Sequence, residues 1–119
     1  MADKWTALDT FWNSFGIPAY DENTVPDDAV MPYITYEASI SNVFDRIPLN
    51  GSLWYRSTAW QGISQKASEI ESYIEGGVGV PYDGGRLWIT KESPFAQRMN
   101  EPTDDFVRRI VLQIGAEYH

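Results

Sequence analysis

The sequence predicts an α+β fold: a mostly antiparallel sheet of four to five strands, with two helices packed on one face. Three observations carry this. Two stretches place apolar residues at helical spacing, and several others alternate β-branched and aromatic residues with polar ones. The connections between the strand-like stretches are too short to hold several crossover helices, which excludes a parallel sheet. At 119 residues the chain has the usual size of one domain, and residues 1–119 read as a single unit without repeat or linker.

The elements follow in order. Over 3–15, Trp5, Leu8, Trp12 and Phe15 fall on one helical face with Phe11 beside them. Asp3 suits the N-terminus, and Gly16 and Pro18 end the run. Residues 16–31 hold two prolines, four acids and an asparagine, and read as a loop. PYITYEAS (32–39) reads as a strand, with Tyr33, Thr35 and Glu37 on one face and Ile34, Tyr36 and Ala38 on the other.

Residues 40–50 have two readings. Pro48 and Asn50-Gly51 resemble a turn, yet VFDRIPL also extends the next strand if Pro48 lies at an edge or bulge. SLWYRST (52–58) is a strand, with Leu53 and Tyr55 opposite Trp54 and Arg56. WQGISQKASEIESYIE (60–75) is the second helix, buried through Ile63, Ala67, Ile70 and Ile74, and Gly76-Gly77 ends it. VGVPYDGGRLWITKES (78–93) is a strand, a Gly-rich turn and a second strand. SPFAQRMNEPTD (93–104) reads as a loop, and FVRRIVLQIGAEYH (106–119) as the longest strand, placed inside the sheet.

Composition narrows the function classes. With no cysteine, disulfides, thiol nucleophiles and thiolate metal sites are excluded. A net charge of −8 argues against ordinary phosphate-backbone binding, although not against a channel through which nucleic acid slides. No window has the apolar length of a membrane span, and MADKWTALDTFW lacks the pattern of a signal peptide. The chain is therefore expected to be soluble and without a membrane partner. Aromatic residues make up 14% of it, which suits contact surfaces as well as a core.

The acidic stretch DENTVPDDAVMPYITY (21–36) is the first place to look for chemistry. A calcium loop beginning at Asp21 would need an oxygen ligand at position five, Gly at six and Glu at twelve. Val25, Pro26 and Pro32 stand there instead. Asp27-Asp28 is a pair of adjacent acids on a loop, ordinarily just solvated. GGVGVPYDGG follows a helix and leads into strands, the reverse of a phosphate-binding loop. The single histidine, His119, is the last residue, and no zinc ligand set exists. No enzyme activity, cofactor or metal is expected. Arg108 and Arg109 alternate faces on their strand, so they do not form one basic patch.

The arrangement of these pieces resembles the tail-terminator and related minor capsid (neck) proteins of tailed bacteriophages and prophages. The resemblance rests on the amphipathic N-terminal helix, PYITY (32–36), SLWYRST (52–58), WQGISQKASEIESYIEGG (60–77), VPYDGGRLWI (80–89), the segment SPFAQRMNEPTDD (93–105) and FVRRIVLQIGAEY (106–118). It implies a structural protein that forms a ring, typically hexameric, at the head-proximal end of the tail tube. Such a ring ends tube polymerisation and joins tail to head. The implied partners are further copies of the chain, the tail tube protein, the head-completion or connector protein, and DNA passing through the lumen without sequence-specific binding. The implied location is the virion, with the host cytoplasm during assembly. A head-closure or connector protein of the neck is the alternative within the same biology, and a small cytoplasmic ligand-binding module lies outside it. Candidate residues for the subunit or tube interface are Asp21, Glu22, Asp27 and Asp28 on one loop, Phe95, Arg98 and Met99 on the other, and Arg109 on the last strand.

Overall fold

In a computed structural model of the chain, residues 3–40, 42 and 45–119 are described. Helix α1 (Lys4–Trp12) opens it, followed by a 3-10 turn (Asn13–Phe15) and strands β1 (Ala19–Asp21), β2 (Tyr33–Tyr36) and β3 (Arg46–Arg56). Helix α2 (Gln61–Ile74) and strands β4 (Val78–Tyr82), β5 (Gly85–Met99) and β6 (Val107–Tyr118) complete it. One six-stranded sheet has the order β1-β2-β3-β6-β5-β4, antiparallel except for the β1–β2 pair. The closing strand β6 sits between β3 and β5, inside the sheet as expected.

The sheet has six strands rather than the four to five expected, because Ala19–Asp21, read as loop, adds a strand; a second segment read as loop lengthens β5. Ala19–Asp21 is too short to show a period, and proline and acids flank it. It is nevertheless fixed on β2, where the Ile34 N–H donates to the Pro18 carbonyl (2.8 Å) and the Glu22 N–H to the Tyr36 carbonyl (2.9 Å). Residues 93–99 are the second case. They continue β5 along β6, with Ala96 opposite Leu112 and Met99 opposite Arg109. The ladder shifts register between Lys91 and Ala96, so Pro94 is absorbed in an irregularity rather than ending the strand. That makes β5, at 15 residues, longer than β6 at 12.

The strand reading of 46–50 holds, and Asn50-Gly51 is no turn. Pro48 lies opposite Gly115 of β6, while β2 reaches only to Gly51, so its missing N–H falls where β3 has no second neighbour. Residues 43 and 44 of the VFDRIPL reading fall outside the described residues. Gly51 is glycine for a steric reason: a Cβ there would lie 2.5 Å from the Trp12 indole.

Both helices cover one face of the sheet. Ile34, Leu49, Leu53, Leu87, Ile89, Ile110, Leu112 and Ile114 point into it and are buried. Helix α2 packs on β5, β6 and β3 through Ile63, Ala67, Ile70 and Ile74. Helix α1 touches both β4 and β1, the two ends of the strand order, so the sheet curls around it. Asp3 caps α1, accepting from the Thr6 N–H at 2.8 Å. Of the apolar face expected for α1, Leu8, Phe11, Trp12 and Phe15 are buried and only Trp5 is not. Ala7 is buried with them, whereas Trp5 is 53% exposed. Helix α2 ends where Gly76 and Gly77 adopt φ of 79° and 99°, a left-handed conformation that glycine enters without a Cβ penalty.

Candidate interaction surfaces

Among the described residues, the sheet face away from the helices has no covering element, and its side chains are organised across strands. Cross-strand register places Tyr33, Trp54, Arg109 and Met99 in one row over β2, β3, β6 and β5. The Arg109 guanidinium lies 4.7 Å from the Trp54 ring centre, and its Nε donates to Ser52 Oγ at 3.2 Å. The Trp54 indole N–H donates to Thr35 Oγ1 at 2.9 Å, and Tyr20 meets Tyr33 edge-on at 5.8 Å. Loop residues Glu101 and Asp104 approach from beyond β5, pairing with Arg109 (3.7 Å) and Arg56 (3.6 Å). Further along, Arg46 pairs with Glu92 at 2.7 Å and donates to Thr90 Oγ1 at 2.9 Å. Stacked guanidiniums of this kind present a flat, half-buried surface with little side-chain freedom left to lose.

The residues singled out from sequence are distributed over four places. Arg109 and Met99 come together in the open-face row. Phe95 is 8% exposed and belongs to the core of its own chain. The acids lie on the loop borne by β1 and β2. Asp21 Oδ1 accepts from the Asn23 N–H at 2.9 Å, closing an Asx turn. Glu22, Asp27 and Asp28 are exposed, as is Val30, at 78%. Arg98 lies 4.8 Å from the Trp60 ring centre, where Arg108 also approaches, at 5.4 Å.

Trp60 and Arg108 were not recognisable as a site in the sequence. Trp60 reads as the first residue of a helix, and Arg108 is 48 positions away on another strand. The only usable signal is that residues of one parity on the last strand face the helices, which puts Arg108 on the opposite side from Arg109.

Titratable groups divide by face. Burial first, then the hydrogen bond to Asp9, raises the Tyr36 phenol well above its usual range; its O–H donates to Asp9 Oδ1 at 2.8 Å. Tyr118 is pushed up to about 12, by burial and then by Tyr82, and Tyr55 is raised by burial and Glu69. The Lys91 ammonium is held above its usual range by hydrogen bonds to Glu75 and Glu71. All four are structural shifts at the helix-covered face. Among the described residues, no group of three or more His, Cys, Asp or Glu side chains stands close enough to hold a metal ion. An open groove of about 740 Å³ runs past Gly84, Arg86, Trp88, Glu117 and His119, where His119 Nε2 pairs with Glu117 at 3.0 Å. It is open to solvent, not the closed, dry pocket that would favour a ligand-binding module.

By fold, the chain is similar to a chain in the virion of the native gene transfer agent particle. The TM-score is 0.64, with 16% sequence identity, over 93% of this chain and 83% of the other. At this identity the likeness is one of architecture. No protein-family model and no curated protein matches the sequence. No helix of the described residues is long and apolar enough to cross a membrane. The surfaces above are carried on the same architecture as that chain, and they present stacked cations, paired charges and exposed acids.

Proposed function

We propose that this chain is a non-enzymatic structural protein of a tailed-phage-like particle. It forms a ring at the head-proximal end of the tail tube, ends tube polymerisation and joins tail to head. The fold likeness to a gene transfer agent virion chain over 93% of the length is the observation that carries this reading. The resemblance of the segments from 32–36 through 106–118 to tail terminators supports the finer assignment. The whole chain acts as one unit whose work is done at interfaces. A closed ring of identical subunits needs two different, complementary surfaces on each. The 21–31 loop and the 93–105 segment, with Arg109, supply part of them. With a net charge of −8, a ring whose acids border the lumen repels DNA weakly along its length and does not retain it. The partners are other copies of the chain, the tail tube protein and the head-completion protein.

Deletion of the gene in the parent particle tests this. A terminator's loss yields overlong tails, or tails that fail to join heads. Tails of normal length already attached to heads would sink the terminator assignment. Normal-length free tails beside heads that leak DNA would place the chain one layer nearer the capsid, as a head-closure protein.

A further inference from the structure

In a chain with 17 acidic and 9 basic residues, most cations are expected to find a carboxylate within their own chain. Arg46, Arg56, Lys66, Lys91 and Arg109 do so. Arg98 and Arg108 do not, and neither do Lys4 and Arg86, among the described residues; of these four, only Arg98 and Arg108 share one aromatic ring. Arg98 donates to Ser64 Oγ at 3.3 Å. Arg108 is held by the backbone carbonyls of Thr58 (2.8 Å), Asp105 (2.9 Å) and Val107 (3.1 Å), and its Nε is buried with no hydrogen-bond partner. Both guanidiniums lie over the one indole of Trp60, so they are oriented without a carboxylate beside them; Arg108 is half-buried and Arg98 exposed. Beside them Phe106, just before β6, is 60% exposed; the Ser57 N–H donates to its carbonyl at 2.7 Å. A shallow groove of about 180 Å³ between α2 and β5, lined by Ser64, Ser68, Gln97 and Arg98, opens alongside.

The acidic loop has the opposite character. Glu22, Asp27 and Asp28 are exposed and make no ion pair within the chain among the described residues, and Val30 stands out at 78% exposure. The loop is borne by β1 and β2, and the cluster by β5, β6 and the start of α2, with β3 between them in the sheet. The two surfaces therefore differ, complement each other in charge and apolar content, and belong to different parts of the molecule. These are the requirements for a head-to-tail contact between copies.

We infer that the Arg98–Trp60–Arg108 cluster receives the carboxylates of Asp27 and Asp28 from the 21–31 loop of a second copy of this chain. Val30 then covers the exposed Phe106 ring. The incoming carboxylates supply the counter-charge that the two oriented guanidiniums lack, and the Val30–Phe106 contact gives an apolar centre that excludes water. This contact rests on the ring reading above and names where one subunit meets the next.

Sedimentation equilibrium of the full chain at low salt tests it, by charge reversal and rescue. The wild type is expected to self-associate, and more weakly as salt rises. Arg98→Glu, on an exposed side chain, is expected to weaken association by about tenfold or more. So is Asp27→Lys with Asp28→Lys. All three substitutions together restore part of it, because the pairing at Arg98 is reversed while Arg108 stays cationic. Circular dichroism checks the fold, and Arg98→Gln serves as the readout if the Glu variant fails to fold. A wild type that stays monomeric, association indifferent to both sets, or a failure of rescue would overturn the contact. Variants that still form rings on tail tubes would overturn this contact while leaving the ring standing.

Discussion

The two faces of the sheet are built from the same strands and solve different problems. On the covered face, Ile34, Leu53, Leu112 and Ile114 are 0% exposed, and Trp12 stacks on Tyr36 with ring centres 6.1 Å apart. On the open face, Tyr33, Trp54, Met99 and Arg109 are half-buried, and order comes from a cation–π stack and from Ser and Thr hydroxyls. The covered face holds the fold by removing apolar area from water. The open face keeps flat aromatic and cationic groups fixed in place yet reachable. Substitutions at the fully buried positions of the first face should therefore cost far more stability than substitutions at the half-buried positions of the second.

Four substitutions or titrations break or sharpen that contrast. Trp12→Ala should act most strongly, removing a fully buried indole for about 3–5 kcal/mol, measured by urea unfolding. Gly51→Ala should cost about 1–3 kcal/mol by forcing a methyl against the same indole, read from the same transition; a neutral result would mean Trp12 does not lie on Gly51. On the open face, Trp54→Ala should lose only about 1 kcal/mol with the Arg109 stack and leave the denaturant slope unchanged. A loss as large as that of Trp12→Ala would erase the distinction between the faces.

The fourth is alkaline titration. Tyr118 has a folded pKa of about 12 against an ordinary 10.0, and Tyr36 is raised too. The unfolded chain gives up these protons first. Stability is therefore fully present below about pH 10 and is lost as pH rises towards about 12. Ultraviolet absorbance of tyrosinate should show a late component coinciding with unfolding, and Tyr118→Phe should shrink it.

The covered face was largely legible in the sequence. Ile63, Ala67, Ile70 and Ile74 announce one side of α2, and alternation in PYITY and in β6 announces the strands. Burial imposes a period, and a period survives in one dimension. What escaped reading had no period to show. Ala19–Asp21 pairs over three residues, and Ser93–Met99 pairs through an irregularity beside Pro94. Trp5 fits the helical spacing, but the curl of the sheet turns it outward. The contact surfaces were least legible, because they join residues far apart in sequence: Trp60 with Arg98 and Arg108, and Trp54 with Arg109. Phe95 looked like an exposed anchor while its segment read as a loop; as part of β5 it faces the core. The acidic loop, by contrast, was plain from composition alone.

The central claim is that the chain caps a tube by forming a ring. Its most direct test is electron microscopy of the cognate tail tube protein polymerising with and without this chain. The account predicts closed rings seated on one end of each tube and an arrest of lengthening at that end. Tubes that grow unchecked from both ends, with no added density at either, would contradict it.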